Sequence, residues 1–204
     1  MSHLDLFAIP LYRTIIGEPT ESELKYLQRV PMTEGRSTAL NSENLAILNT
    51  IQLRDLQGRV QKGLMEYQDH LGVDTAQVEM RITTSWLNRY HKGHSTHQHH
   101  HSNSIISGVY YLEDCGKSAP IQFHRAPGYV NLWPNTINLP IKTHNALNID
   151  VITVIPKAGE LIMWPSHLAH SVPPNQSDTP RHTIAFNTFI KGTLDPKGGS
   201  ELTL

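Results

Sequence analysis

Two spacings of apolar side chains divide the chain. In the first third they recur at steps of three and four, and from Val78 onward at steps of two. Leu53, Leu56, Val60, Leu64, Tyr67 and Leu71 form one stripe of a helix, which Leu71-Gly72 closes. Gly58 and Gly63 weaken it by roughly 1 kcal/mol each against Ala. Its single apolar face predicts packing on the outer face of a sheet. Ahead of it, Thr20-Glu-Ser-Glu23 has the spacing of a capping box. A first helix of about ten residues should follow, with Leu24, Leu27 and Val30 inward, and end before Pro31. Leu6 to Ile16 is apolar but interrupted by Pro10, which suits an edge strand. Residues 32–44 are polar and read as irregular.

Beyond Val78, the even positions Val78, Met80, Ile82, Thr84, Trp86, Asn88 and Tyr90 alternate with Glu79, Arg81, Thr83, Ser85, Leu87, Arg89 and His91. That period predicts one or two extended segments with one buried face. Ile105 to Leu112, Ile121 to Phe123, Val151 to Ile155, Glu160 to Trp164 and Thr183 to Ile190 read as further strands, with a turn at Pro156-Lys-Ala-Gly159. Helices first and many short strands after predict a mainly β chain with N-terminal helices, its body an antiparallel sandwich or barrel.

At 204 residues the chain suits a single domain over 1–204, with residues 1–75 as strand and supporting helices and 76–195 as the β core. A domain of this size buries roughly 70% of its unfolded surface without staples. Residues 116–150 break the rhythm; they are Pro- and Asn-rich and carry Arg125, Tyr129 and Trp133. Stretches this long are functional or disordered. A lid over a site is the expectation, with those three as candidate substrate contacts, and a plain surface insertion fits the same composition.

A net charge of −1 gives no basic field for nucleic acid and no patch for an anionic membrane. No apolar run approaches the roughly 20 residues that span a bilayer, and no charged-then-apolar leader opens the chain. Cys115 is the one cysteine, so an internal disulfide is excluded. The expectation is a soluble protein of the reducing cytoplasm. Asn175-Gln-Ser177 fits a glycosylation sequon, which in that setting is a coincidence of composition.

Candidate chemistry gathers right after the long alternation. Six of the thirteen histidines fall between His91 and His101. If extension continues past Gly93, His97, His99 and His101 project to one side and His100 to the other. Neutral imidazoles at i and i+2 suit iron, zinc, copper or nickel; a solvated polar loop would carry the same residues. A further histidine, His170, follows a strand and turn at Pro165-Ser-His-Leu-Ala-His170. Arg181 and Thr183 then share one face of a strand, aiming a guanidinium fork and a hydroxyl together, an arrangement that holds a carboxylate well. An ordinary surface ion pair is the alternative for Arg181.

Taken in order, Trp86-x-Asn88, Gly93-x5-His99-x-His101, Ser107-Gly-Val-Tyr-Tyr-Leu112, Pro165-Ser-x-x-x-His170 and Arg181-x-Thr183 resemble the iron(II)/2-oxoglutarate-dependent oxygenases, and more narrowly a prolyl-hydroxylase-like branch in which these motifs recur. The resemblance covers residues 86–190. It implies a double-stranded β-helix, the cupin-like jelly roll of two facing antiparallel sheets, and a dioxygenase that needs Fe(II) and 2-oxoglutarate. It assigns metal ligation to His99, His101 and His170, with His97 as an alternative to its neighbours. It assigns the distal carboxylate of the cosubstrate to Arg181 and Thr183, and further cosubstrate contacts to Tyr110 and Tyr90. Most of the superfamily carries Asp or Glu two residues after the first histidine, where this chain has His101.

The implied reaction is hydroxylation of a peptide or small molecule with O2. A cupin-type metal-dependent dioxygenase or isomerase with three histidines is the main competitor. That motif wants Glu soon after His101, where Ser104-Ile-Ile106 stands, and it gives Arg181 no role. A non-catalytic metal-stabilised protein is the third option and predicts a closed metal shell. Strand edges of such barrels pair readily, which leaves room for a homodimer.

Overall fold

The alternation that begins at Val78 becomes one uninterrupted strand of 13 residues, and the sheets assemble around it. The structure, a computed structural model, describes residues 8–35, 37–116, 119–125, 139–195 and 198–204. In chain order the elements are β1 (Tyr12–Ile15), α1 (Glu21–Gln28), β2 (Met32–Glu34), β3 (Leu40–Ser42), α2 (Arg54–His70), β4 (Val78–Tyr90), β5 (Thr96–His99), β6 (Ile106–Tyr111), β7 (Ile121–His124), β8 (Val151–Val154), β9 (Glu160–Pro165), β10 (His170–Val172), β11 (Arg181–Leu194) and β12 (Leu202–Thr203). The larger sheet runs β1-β9-β6-β11-β4-β3-β2, with β12 also on β11; the smaller runs β5-β10-β7-β8. All pairings between these strands are antiparallel.

Each face of the larger sheet buries a different core. Tyr110, Leu161, Met163, Ile184 and Phe186 point outward into a cluster with Leu53, Leu56, Val60, Leu64 and Tyr67 of the α2 stripe. Tyr111, Ile162 and Trp164, one residue along, point inward and meet Ile121, Phe123 and Val154 of the smaller sheet. The two sheets therefore face one another as a jelly roll, with the helices outside. Both faces of β6 and β9 are apolar because both are covered.

Two glycines mark where side chains come closest. A Cβ on Gly63 of α2 would lie 2.7 Å from Leu161 Cδ2, so glycine brings the helix down onto β9. A Cβ on Gly108 of β6 would run into the Phe186 ring from β11 and stand 2.9 Å from Met163 Cγ. The glycine of the Ser-Gly-Val-Tyr-Tyr motif is thus the seat of an aromatic ring.

Several expectations need correction. The capping box at Thr20 and Glu23 forms, but α1 has eight residues and its inward side is Leu27 with Glu23. The capping glutamate takes the core position because Arg59 of α2 pairs with it at 3.1 Å, and Leu24 is 36% exposed. Leu71, past the end of α2, is exposed to the same degree. Residues 32–44 are not irregular: β2 and β3 form a hairpin joined to β4 through Leu40↔Arg89 and Asn41↔Asn88. Three-residue strands show no period, and the length of β4 is what supplies their partners. The strand expected at Thr183 to Ile190 is longer, reaching from Arg181 to Leu194, and a two-residue β12 follows it. Leu6 lies outside the described residues, while the edge position expected of the first strand is that of β1. No helix among the described residues is long and apolar enough to cross a membrane.

Gly108→Ala should lower stability by about 1–3 kcal/mol, because backbone and rings must move to admit one methyl. Gly58→Ala, at an α2 position with nothing within 4 Å of the added carbon, should raise it by about 0.5–1 kcal/mol. Denaturant midpoints of the two variants, compared at equal slope, check both signs.

Candidate metal centre

His99 ends β5 and His170 begins β10, and the two are direct partners across the antiparallel pair. Their ring centroids lie 4.3 Å apart. His101 follows two residues later, where its amide donates to Ser166 O at 3.0 Å and so ties it to the turn that presents His170. One nitrogen from each of the three imidazoles lies within 4.8 Å of those of the other two. His101 Nε2 and His170 Nε2 are 3.3 Å apart. Two nitrogens each about 2.1 Å from one ion, at close to a right angle, would stand about 3 Å apart.

The turns that carry these ligands are pinned by hydroxyls. Ser166 donates to Ser104 Oγ at 2.7 Å and shares a hydrogen bond with Ser107 at 2.8 Å. Ser107 also donates to Asn187 Oδ1 at 2.9 Å, and Thr188 to Ile106 O at the same distance. The serines of two separate sequence motifs meet here, and both belong to the framework of the centre.

Burial keeps the imidazoles neutral. Desolvation is the main cause in each case, joined by the neighbouring histidines. It lowers the pKa of His99, brings His101 down to about 4 and His170 to about 3. Neutral imidazole is the form that ligates metal. Tautomers follow from the other ring atoms: Nδ1 of His170 is 3.1 Å from Leu168 O and Nδ1 of His99 is 2.9 Å from His97 O. Each therefore donates from Nδ1 and turns a lone pair on Nε2 toward the centre. Trp164 walls the site, its ring 4.8 Å from that of His170. His97 is exposed and outside the set of three, although its carbonyl holds His99.

Arg181 opens β11 and points inward opposite Tyr90, in full burial at 4% exposure. Its Nη1 donates to Ala119 O at 2.7 Å and reaches Cys115 Sγ at 3.6 Å, while its Cζ sits 4.4 Å above the Tyr90 ring. Its Nε is buried with no hydrogen-bond partner, and among the described residues no carboxylate pairs with it. A buried cation in that condition fits an incoming carboxylate. The three neutral nitrogens likewise fit a divalent ion.

Thr183, two residues on and 2% exposed, accepts from Asn88 Nδ2 at 3.2 Å. Asn88 Oδ1 in turn accepts from Trp86 Nε1 at 3.0 Å and from Asn41 Nδ2 at 2.6 Å. Tyr90 stacks under Arg181, and its hydroxyl meets Thr96 Oγ1 at 2.8 Å. The Tyr-x-x-Gly turn is held by Asn175: Gly93 N donates to Asn175 O, and Asn175 Nδ2 to Tyr90 O at 2.9 Å. Asn175 is fully buried and so is no glycan acceptor in the folded chain.

Two expected contacts lie elsewhere. Tyr110 faces the helices, its hydroxyl donating to Gly17 O at 2.9 Å, because the strand's parity sends Tyr111 inward instead. Tyr111 is the tyrosine near Arg181, with Cζ 5.9 Å from its ring centre. Arg125 is occupied elsewhere, its Nε and Nη2 donating to the carbonyls of Ala146, Leu147 and Ile149. Tyr129 and Trp133 lie outside the described residues. Asn88, Tyr111 and Ser166 are not singled out as site residues by the sequence, although all three stand inside its short motifs.

No curated protein matches the chain. Among solved structures, the epimerase SnoN from nogalamycin biosynthesis, described as alpha ketoglutarate dependent, superposes with a TM-score of 0.62 at 14% identity, covering 94% of this chain and 83% of that one. HygX from Streptomyces hygroscopicus, solved with nickel, 2-oxoglutarate and hygromycin B, gives 0.59 at 13%, with 88% and 82% covered. A prolyl-4-hydroxylase from Pseudomonas putida gives 0.58 at 13%, with 88% and 92% covered. These likenesses establish a shared double-stranded β-helix. Residues 84–187, from β4 to the middle of β11, match the family model described as "Putative 2OG-Fe(II) oxygenase", and the chain belongs to that 2OG-Fe(II) oxygenase family.

Proposed function

We propose that the protein is an iron(II)- and 2-oxoglutarate-dependent dioxygenase with a three-histidine metal site, and that it hydroxylates a peptide or small molecule. One juxtaposition carries this reading: three neutral imidazole nitrogens converge in the same barrel as a buried guanidinium that lacks a carboxylate partner among the described residues. His99, His101 and His170 would hold the ion; Arg181 and Thr183 would hold the distal carboxylate of 2-oxoglutarate. When bound, the metal and cosubstrate supply oxidative decarboxylation coupled to oxidation of a C–H bond. The protein's own part is placement and exclusion of water. Nδ1 hydrogen bonds fix the ligand rings, Trp164 and Phe123 close the floor beside them, and the stacked Tyr90 keeps the guanidinium aimed. Metal and 2-oxoglutarate together in the structurally similar HygX support the pairing.

A cupin-type centre is disfavoured because no acidic group joins the three histidines among the described residues, and because Arg181 would then be a buried charge without purpose. A purely structural metal wants a closed shell of four, and the described cluster supplies three.

Anaerobic titration of the Fe(II)-loaded protein with 2-oxoglutarate should give a visible absorption band that needs both components. His170→Ala should abolish metal retention, and with it the band. Arg181→Ala should keep the metal and weaken 2-oxoglutarate by about a hundredfold, the scale of a lost charge-assisted contact. Undiminished succinate formation in Arg181→Ala would contradict the assignment.

The histidines also predict a pH dependence. In the unfolded chain they titrate near 6.5; folded and metal-free, His101 and His170 titrate only near 4 and 3. As pH falls below about 6.5 the unfolded state takes up protons first, so folding stability is full above that value and declines toward pH 4. The thermal midpoint of the metal-free protein should follow that course, and His101→Gln should flatten it.

A further inference from the structure

Thr183 can turn its hydroxyl toward a ligand in two ways, as a donor or as an acceptor, and the difference decides what it can bind. Its neighbours settle which. Trp86 Nε1 is a donor only, so the Asn88 atom 3.0 Å away is the amide oxygen. The Asn41 amide reaches the same oxygen at 2.6 Å, and Asn41 is itself packed where a Cβ on Gly35 would collide with it. The amide of Asn88 therefore cannot flip without leaving two donors facing a third. Its NH2 group is left pointing at Thr183 Oγ1, 3.2 Å away, and occupies a lone pair of that oxygen. Asn88 and Thr183 are 8% and 2% exposed and register partners on β4 and β11, so water does not compete for the contact.

We propose that Asn88 is a positioning residue for cosubstrate selection: by donating to Thr183 it leaves that hydroxyl's proton as the group offered to the ligand, beside Arg181. Two donors of adjacent register then face the same anionic end. A dicarboxylic 2-oxo acid gains from both, and a 2-oxo acid without the distal carboxylate gains from neither. The inference rests on the proposed function, because it concerns the anion that Arg181 would hold. Trp86 and Asn41 enter only as the fixtures of the Asn88 amide.

Asn88→Asp is nearly isosteric and reverses the sense of the contact. Its carboxylate still accepts from Trp86 and Asn41, and it also accepts the Thr183 proton, so the ligand meets a lone pair instead. The measurement is calorimetric titration of Ni(II)-loaded protein, which undergoes no turnover, with 2-oxoglutarate and separately with 2-oxobutyrate. Asn88→Asp should weaken 2-oxoglutarate by about tenfold or more, the worth of a hydrogen bond to a charged group, with Ni(II) content unchanged and 2-oxobutyrate affected much less. Thr183→Val should give a loss of similar size. In the double variant the Asp penalty should shrink, since no hydroxyl remains to be turned. An equal Asp penalty with and without Thr183, an equal penalty on both acids, or no penalty overturns the proposal. Failure of the unaltered Ni(II) protein to bind 2-oxoglutarate would instead remove the functional assignment, and this inference with it.

Discussion

A guanidinium taken out of water with no carboxylate beside it among the described residues is a costly feature, and the interior is arranged around tolerating it. Even after relaxation, desolvating such a group costs several kcal/mol. Arg181 recovers part of that from the Tyr90 face, the Ala119 carbonyl and the Cys115 sulfur, all neutral partners. An apolar residue would serve packing better at this position. Keeping a cation there makes sense when a ligand completes it, and the long β4–β11 ladder, registered from Arg181↔Tyr90 to Gly192↔Val78, holds it in place meanwhile.

The same ladder acts as a ruler. Inward-pointing residues fall in layers: Arg181 with Tyr90, then Thr183 with Asn88 and Tyr111, then Ala185 with Trp86 and Val109. Successive layers are two residues apart, about 7 Å along a strand. The histidines enter from the smaller sheet and approach the far layers, His101 beside Trp86 and His170 beside Trp164. The order of these layers along the barrel is thus set by the backbone ladder. Under the proposed function, a ligand bridging cation and imidazoles would be selected for its length as well as its two charged ends.

Much of this was legible from the chain, for identifiable reasons. The stripe of α2 and the alternation of β4 are long enough for their periods to be unambiguous, and Arg-x-Thr lies on a strand whose parity could be read. The histidine cluster was visible as a cluster, but His101 lies beyond the end of β5 and His97, on the parity of His99, stays outside the set of three. Tyr110 shows where such reading stops. Ile-Ile-Ser-Gly-Val-Tyr-Tyr-Leu is apolar on both sides, so nothing in it tells the outward tyrosine from the inward one. Only the pairing Thr183↔Tyr111 does. Arg125 differs: an arginine in a long polar stretch suggested a ligand contact, yet its Nε and Nη2 donate to carbonyls of Ala146, Leu147 and Ile149.

The short motifs also mean something other than a list of ligands. Of the residues in Trp86-x-Asn88, Ser107-Gly108 and Pro165-Ser166, none belongs to the three-histidine cluster. They fix an amide, seat the Phe186 ring, and bind the His101 and His170 turns to each other through hydroxyls. With a histidine in place of the usual carboxylate, the proposed ligand set would bring no negative charge to a ferrous ion. Balancing both the ion and Arg181 would then fall to the anionic ligand, and its retention would depend on donors aimed in advance. On that reading the polar ties behind the site matter more than they would beside a carboxylate ligand, because placement would have to do what charge does there.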